Sequence, residues 1–453
     1  MHLPAGSFGA LFGCIALIVS SGDASFALPS SSLVGHWEGA LLQKGQPLPI
    51  RFDFSGSGSA LKGRFSVDRW RAMDYPLDAV KVAGERVTFN VGDNAFDGTV
   101  RGAHATGTFK GGDGSGTFDV QRVVPAPLPY AEIPVTFHNG SVVLAGTLAM
   151  PRTPGRHPGV VIIHGSGPQS RWGTNRYIAD RFARAGIAAL AYDKRGSGDS
   201  TGDWRTAGYD DLARDALAGI ALMAARADVD PARIGINGHS EGGLVAPLAA
   251  SLAPRRVAFV VAEDTAASRV RDQDLYRVTN DVNAKDWPPE DKQKALAIYA
   301  LFLDVISGDK PYADFETASA PVKNESWFQY LGLPPKGHWL WTWYPKRANY
   351  DMRTPWRGLT RPVLLVYGER DKLVPVDESI RRIEDLLDAS HAPYTALIAP
   401  RAEHNLTINP QPGEAFFWWR AAPGLIDTVV AWVAACTRTG GVCAVRAKAA
   451  SGI

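Results

Sequence analysis

Two stretches of this 453-residue chain set a serine between glycines: Gly198-Asp199-Ser200-Thr201-Gly202 and Gly238-His239-Ser240-Glu241-Gly242. Acyl transfer needs an exposed hydroxyl, a base beside it and N–H donors aimed at the oxyanion. Flanking glycines let a strand turn sharply into a helix and lift such a hydroxyl clear of the backbone. With 46 glycines in the chain the pattern alone is weak, so its surroundings decide. Ser240 follows the strand-like run Arg233–Asn237 and precedes Gly242-Gly243-Leu244-Val245-Ala246, small and apolar residues suited to a helix. Ser200 lies several residues past its strand, in a polar loop with no helix starting at it. Ser240 is the expected nucleophile.

Its partners are expected in the order Ser, Asp, His, each just beyond a strand. The apolar run Val363–Tyr367 leads into Gly368-Glu369-Arg370-Asp371, and Tyr394–Ala399 leads into Pro400-Arg401-Ala402-Glu403-His404. Asp371 is therefore the expected acid and His404 the expected base. Alone, an Asp in a loop is usually a turn former and a lone His a packing residue; the joint order and placement raise both above that. Glu263 and Asp264, at the end of the preceding strand, are rival acids, and Glu369 and Asp377 are weaker ones. His391 and His338 are poorly placed as bases. Backbone donors are expected from Glu241, directly after the nucleophile, and from Ser166 or Gly167 in the loop His164-Gly165-Ser166-Gly167. The His164 side chain is expected to hold that loop.

Strands ending at one edge require a sheet whose strands run largely parallel. From Tyr130 onward, strands near Ile133–Phe137 and Val142–Ala149 come first. The buried run Val160–Ile163 follows, and then the strands Ala188–Tyr192, Arg233–Asn237, Val257–Ala262, Val363–Tyr367 and Tyr394–Ala399. Helix-like segments at Asp210–Arg226, Leu244–Leu252 and Glu378–Leu387 intervene, which predicts an α/β, doubly wound, mostly parallel sheet. Residues 263–360 break the alternation. They hold Trp287, Trp327, Trp339, Trp341, Trp343 and Trp356 and are too long for a simple crossover, so they are read as a helical cap. Most of those tryptophans are expected to pack the cap, with one or two lining a cleft.

Residues 28–124 alternate in short segments, such as Arg86-Val87-Thr88-Phe89-Asn90-Val91, parted by Gly, Asp and Asn. They read as a small antiparallel β domain, and Pro125-Ala126-Pro127-Leu128-Pro129 as a stiff linker to a catalytic domain at 130–436, with a tail at 437–453. Formally +2, with 48 Lys and Arg against 46 Asp and Glu, the chain has no field suited to nucleic acid. Phe8–Ser20 is apolar but short, and Gly22-Asp23-Ala24 and Ser25-Phe26-Ala27 have the small-x-small form of a cleavage site, so residues 1–27 read as an export signal. Against this, no Lys or Arg precedes the run. Cys14 lies inside it, too early for a lipoprotein box to be favoured. Cys436 and Cys443 could pair in an oxidising compartment. No Cys/His spacing suggests zinc, and no cofactor is expected.

Together His164-Gly165-Ser166-Gly167, Asp193-Lys194-Arg195-Gly196-Ser197-Gly198, Gly238-His239-Ser240-Glu241-Gly242, Gly368-Glu369-Arg370-Asp371 and Glu403-His404 resemble the α/β-hydrolase superfamily, nearest its bacterial esterase, serine aminopeptidase-like and dienelactone hydrolase-like branch. The resemblance spans roughly 130 to 435. It implies a serine hydrolase, with Asp193 and Arg195 in a structural turn near the site floor. An esterase acting on small esters is the first expectation and a peptidase acting on short peptides the second. A non-catalytic binding protein on the same scaffold is the rival from another class.

Overall fold

The computed structural model describes residues 33–112, 114–414 and 418–438. The expected signal segment, its two cleavage sites and Cys443, and with it the Cys436–Cys443 pairing, lie outside these residues. The chain forms two compact units.

The first unit is a nine-stranded sheet in which every neighbouring pair is antiparallel. Its strands are β1 (Gly35–Gln43), β2 (Gln46–Ser55), β3 (Lys62–Val67), β4 (Ala72–Pro76), β5 (Asp78–Ala83), β6 (Arg86–Val91), β7 (Asn94–Arg101), β8 (His104–Gly111) and β9 (Gly114–Val123), in the order β4-β3-β2-β1-β9-β8-β7-β6-β5. In β6 Val87, Phe89 and Val91 are buried and the residues between them are not, the two-residue period of a sheet with one apolar face. That face is aromatic: Phe52, Phe65, Phe89, Phe96, Phe109 and Phe118 pack together with Trp37. Phe89 and Phe96, opposite one another on β6 and β7, stack at 4.9 Å.

Two later segments, 172–177 and 409–420, belong to this unit as well. Gly173 exchanges backbone hydrogen bonds with Met73 at 2.8 and 3.2 Å, Arg176 pairs with Asp74 at 3.1 Å, and Trp419 stacks on Trp70 at 5.1 Å. The sequence reading placed both segments in the 130–436 domain. Nothing local distinguishes them, because what assigns them is contact with residues far away in the chain.

The second unit is an eight-stranded sheet, β10 (Tyr130–Asn139), β11 (Val142–Pro151), β12 (His157–Ile163), β13 (Ala188–Tyr192), β14 (Val229–His239), β15 (Val260–Glu263), β16 (Val363–Gly368) and β17 (Tyr394–Ala399), ordered β10-β11-β13-β12-β14-β15-β16-β17. β10 and β11 pair antiparallel; from β13 to β17 all pairings are parallel. Helices α1 (Thr174–Arg184), α2 (Tyr209–Ala224), α3 (Glu241–Leu252) and α9 (Val376–Ala389) each connect successive strands of this sheet, and α10 (Leu425–Cys436) follows β17. Strands β13 and β16 are buried at every residue, which is why their sequences run apolar without alternation.

Between β15 and β16 the chain is helical: α4 (Val270–Asn283), α5 (Pro289–Ile306), α6 (Tyr312–Ser319), α7 (Ser326–Tyr330) and α8 (Leu340–Trp343). This cap has its own apolar core around Val282, Phe302, Leu303 and Trp327. Trp327 and Trp356 are fully buried, and Trp287, Trp341 and Trp343 pack partly against the cap core. Trp339 instead meets Trp204 edge to face at 5.1 Å.

Candidate active site

Three neighbouring parallel strands and the one beyond them end in register. His239 lies opposite Glu263, Glu263 opposite Val366, and Gly368 opposite Ala399. Residues just past those positions must therefore gather at one edge, about 5 Å apart per strand. They include Ser240, Asp264, Asp371 and His404.

Ser240 sits between β14 and α3 at φ 58°, ψ −117°, a conformation that side chains rarely adopt and that costs on the order of 1–3 kcal/mol. The flanking glycines make the turn sterically feasible. A Cβ on Gly238 would come within 2.0 Å of the Gly242 carbonyl oxygen, and one on Gly242 within 2.6 Å of the Ile163 carbonyl oxygen. So the start of α3 lies hard against the end of β12, and neither position admits a side chain.

The His404 Nε2 lies 2.9 Å from the Ser240 Oγ, and its Nδ1 lies 2.7 Å from the Asp371 Oδ2. Asp371 Oδ1 accepts the Leu373 and Val374 N–H groups at 2.7 and 3.0 Å, which fixes the buried carboxylate. The three sequence-predicted residues are thus joined in one hydrogen-bonded line. With Nδ1 donating to Asp371, Nε2 is left as the acceptor facing the hydroxyl, the tautomer a general base needs.

The expected oxyanion donors also stand at this edge. A Cβ on Gly165 would lie 3.7 Å from the Ser240 Cβ, so the 164–167 loop passes over the nucleophile. The Gly165 N–H is spent on Gln169 Oε1 at 3.2 Å. Among the described residues the N–H groups of Ser166, Gly167 and Glu241 have no partner. The His164 Nε2–H donates to the Tyr192 carbonyl oxygen. Burial, helped by the nearby Lys194 charge, lowers it to about 3, so it stays neutral and serves the loop rather than the chemistry.

Sequence reasoning did not find Lys194. It is buried, donates to the Gly165 carbonyl oxygen at 2.9 Å and pairs with the Glu241 carboxylate at 2.5 Å. One ammonium therefore ties the 164–167 loop to the first residue of α3. The available signal was a lysine inside an Asp-x-Arg-Gly turn, and nothing in the sequence shows that it points inward. Its neighbours behave as the resemblance implied. Asp193 accepts the Arg171 and Asp199 N–H groups, and Arg195 makes a paired contact with buried Asp215 at 2.7 Å on each oxygen.

His239 was also missed. Its Nε2 lies 2.8 Å from the His404 carbonyl oxygen and 3.6 Å from Asp264 Oδ2. Burial works to lower its pKa, but Asp264 outweighs this and the net direction is up. Asp264, a rival acid by sequence, is wholly buried and accepts the Gly368 N–H at 2.8 Å. Burial pushes it up to about 6, against the histidines that favour its charge. Asp264, Asp371 and His404 offer ligand atoms within 4.8 Å of one another, but Asp371 and His404 are bonded to each other there, so the group is arranged to share protons rather than to hold a cation.

The remaining candidates are engaged elsewhere. Glu263 accepts from Asn237 at 2.8 Å, and Glu369 accepts the Arg401 N–H at 2.7 Å. Asp377 lies in the first turn of α9. His391 is exposed just past that helix, and the His338 Nδ1 accepts the Leu340 N–H within the cap. The Ser200 hydroxyl donates to Asp193 O at 2.7 Å and accepts the Ala145 N–H at 2.9 Å, which makes the second Gly-x-Ser-x-Gly a structural turn.

No curated protein matches this chain in sequence. Among solved structures it is similar to a hypothetical protein from Pseudomonas aeruginosa at 22% identity, with 62% of this chain and 89% of that chain covered and a TM-score of 0.38. It is similar to an esterase of Pyrococcus furiosus at 20% identity, with 63% and 88% covered and a TM-score of 0.41. Est1E from Butyrivibrio proteoclasticus, solved with ferulic acid bound, is 16% identical, with 66% and 96% covered and a TM-score of 0.39. The sequence model of the Alpha/beta hydrolase family matches residues 160–433, more than half of the chain, and this protein belongs to that family.

Proposed function

We propose that the protein is a serine esterase that works through an acyl-enzyme on Ser240. The observation that carries this reading is the line Ser240–His404–Asp371 at a strained strand-to-helix turn, with unpartnered N–H groups of Glu241, Ser166 and Gly167 on the same edge. His404 takes the hydroxyl proton as Oγ attacks the ester carbonyl. Asp371 stabilises the imidazolium, and the N–H groups receive the oxyanion. His404 then returns the proton to the leaving alcohol, and water, activated by the same base, releases the acid.

The peptidase alternative would use a free acid to hold a substrate amine. The two acids that end β15, Glu263 and Asp264, are buried and already hydrogen-bonded, Glu263 to Asn237 and Asp264 to the Gly368 N–H. The ester reading has no such requirement. Ser240→Ala is expected to lower turnover of a short 4-nitrophenyl ester by about 10⁶-fold, and a fluorophosphonate to label Ser240 in the native protein only. Near-normal turnover by Ser240→Ala would remove the mechanism. Activity on aminoacyl anilides but not on esters would favour the peptidase. We also read the chain as exported, on the apolar run Phe8–Ser20 and the small residues after it; the N-terminus of the mature protein, expected after Ala24 or Ala27, tests this.

A further inference from the structure

Arg347, in the cap, is 1% exposed, and among the described residues none of its N–H groups meets a carboxylate. Its Nη2 donates to the Trp204 carbonyl oxygen at a long 3.4 Å, while its Nε and Nη1 are buried without partners. The guanidinium lies 4.4 Å from the ring of Trp343 and 5.3 Å from that of Tyr209. The Trp343 indole N–H is likewise buried and unpartnered. Two residues four apart, one above the other, thus present three buried donors and no acceptor. Aromatic faces recover only part of the desolvation cost of a buried cation, which ordinarily demands an anion.

The location matters. Tyr209 opens α2, which packs on α3, and α3 begins at the residue after Ser240. Helix starts in this fold lie at the carboxyl edge of the sheet, where the nucleophile is. The Tyr209 phenol is raised by burial, raised further by the Glu241 carboxylate and opposed by Arg347, so it senses both groups. The cap chain around Arg347 also reaches the loop that leads to α2, through Lys346 on Thr206 O at 3.2 Å.

We propose that Arg347 and the Trp343 indole N–H form a subsite for a carboxylate carried by the substrate, so that the enzyme acts on esters bearing a second, ionised acid group. This rests on the serine esterase reading above. The chemistry of the subsite is that of an anionic oxygen group; its source is either the substrate or a free ion, and the experiment separates them.

The test compares the 4-nitrophenyl half-ester of glutaric acid with 4-nitrophenyl valerate, in the wild type, Arg347→Gln and Arg347→Lys. The wild type is expected to favour the half-ester by about tenfold or more in kcat/KM, a difference of about 1.4 kcal/mol. In Arg347→Gln the ratio is expected to fall to near one, mainly through KM, and in Arg347→Lys to fall only in part. Arg347→Lys and thermal melting of each variant guard against a folding defect. No preference in the wild type, or a preference that survives Arg347→Gln, would overturn the proposal. Stabilisation of the wild type but not Arg347→Gln by inorganic sulfate, without a half-ester preference, would assign the site to a free ion and equally overturn it. Calorimetric titration of Ser240→Ala protein with monomethyl glutarate, set against Ser240→Ala/Arg347→Gln, reads the anion directly. Binding lost with Arg347 but no labelling of Ser240 in the wild type would sink the esterase reading while leaving the subsite.

Discussion

At the scale of single residues, the carboxylates decide how the site responds to pH. Asp371 is held by two backbone N–H groups as well as by His404, whereas Asp264 has only one N–H and a more distant histidine. Burial carries Asp264 from an ordinary value of 3.8 to about 6. A carboxyl raised in the fold favours its protonated form, so its contribution to stability is fully present below about pH 4 and is lost as pH rises through 6. Asp264→Asn is expected to remove that decline in denaturant titrations run between pH 4 and 6. His239 is shifted in the same direction. Its raised pKa gives stability present below 6.5 and lost only at higher pH, so the two declines occur in separate windows. In catalysis, Asp264→Asn also deletes a negative charge beside the base. The acid limb of the kcat/KM profile should then move to lower pH by roughly half a unit or more; an unmoved limb would show that Asp264 carries no charge when the enzyme turns over.

Among the elements, the critical joint is the start of α3, which must meet β12 and the 164–167 loop at once. Lys194 holds that joint by binding both Gly165 O and Glu241. Lys194→Met leaves the nucleophile and base untouched but frees the loop. It is expected to lower kcat by roughly 10- to 100-fold with little change in KM, less than the full loss of one oxyanion donor. A drop confined to KM would show that the lysine serves binding and not the oxyanion site. Gly242→Ala tests the packing directly. Its Cβ would sit 2.6 Å from Ile163 O, with only backbone to yield, so a loss of about 1–3 kcal/mol in thermal or denaturant unfolding is expected, together with loss of activity.

For the whole molecule, stability is divided among the cores of the first unit, the α/β sheet and the cap. The first unit rests on rings: Phe52 contacts Phe65, Phe89, Phe96 and Phe118 within 6.3 Å. Phe52→Ala is expected to cost about 3–5 kcal/mol. This unit also needs 172–177 and 409–420, which supply the Met73 backbone pairing, the Asp74 ion pair and the stacking partner of Trp70. A chain cut at the proline-rich segment and lacking residues 1–128 would leave those groups unpaired. Such a fragment should melt at a lower temperature than the full chain or fail to stay in solution, as light scattering and calorimetry would show; an unchanged melting profile would mean that the two segments contribute nothing to folding.

How far the primary structure reaches is clearest at Ser240, Asp371 and His404. Strand-ending runs, chain order and turn glycines are local signals that pointed to these three over Ser200, His391 and Glu369, and the fold joins the three in one hydrogen-bonded line because a parallel sheet brings successive strand ends to one edge. The α/β class and the β-rich first region were legible for the same reason, since the period of burial is written in apolar spacing. What lay beyond reach has one cause. Lys194 clamps the 164–167 loop to α3, Asp264 lies close to His404, Arg347 is buried without an acid and 172–177 joins the first unit, each through a neighbour distant in sequence and adjacent only after folding. Burial and pairing are properties of that adjacency, so residue type and spacing set the chemistry available, while tertiary contact decided which groups were placed to use it.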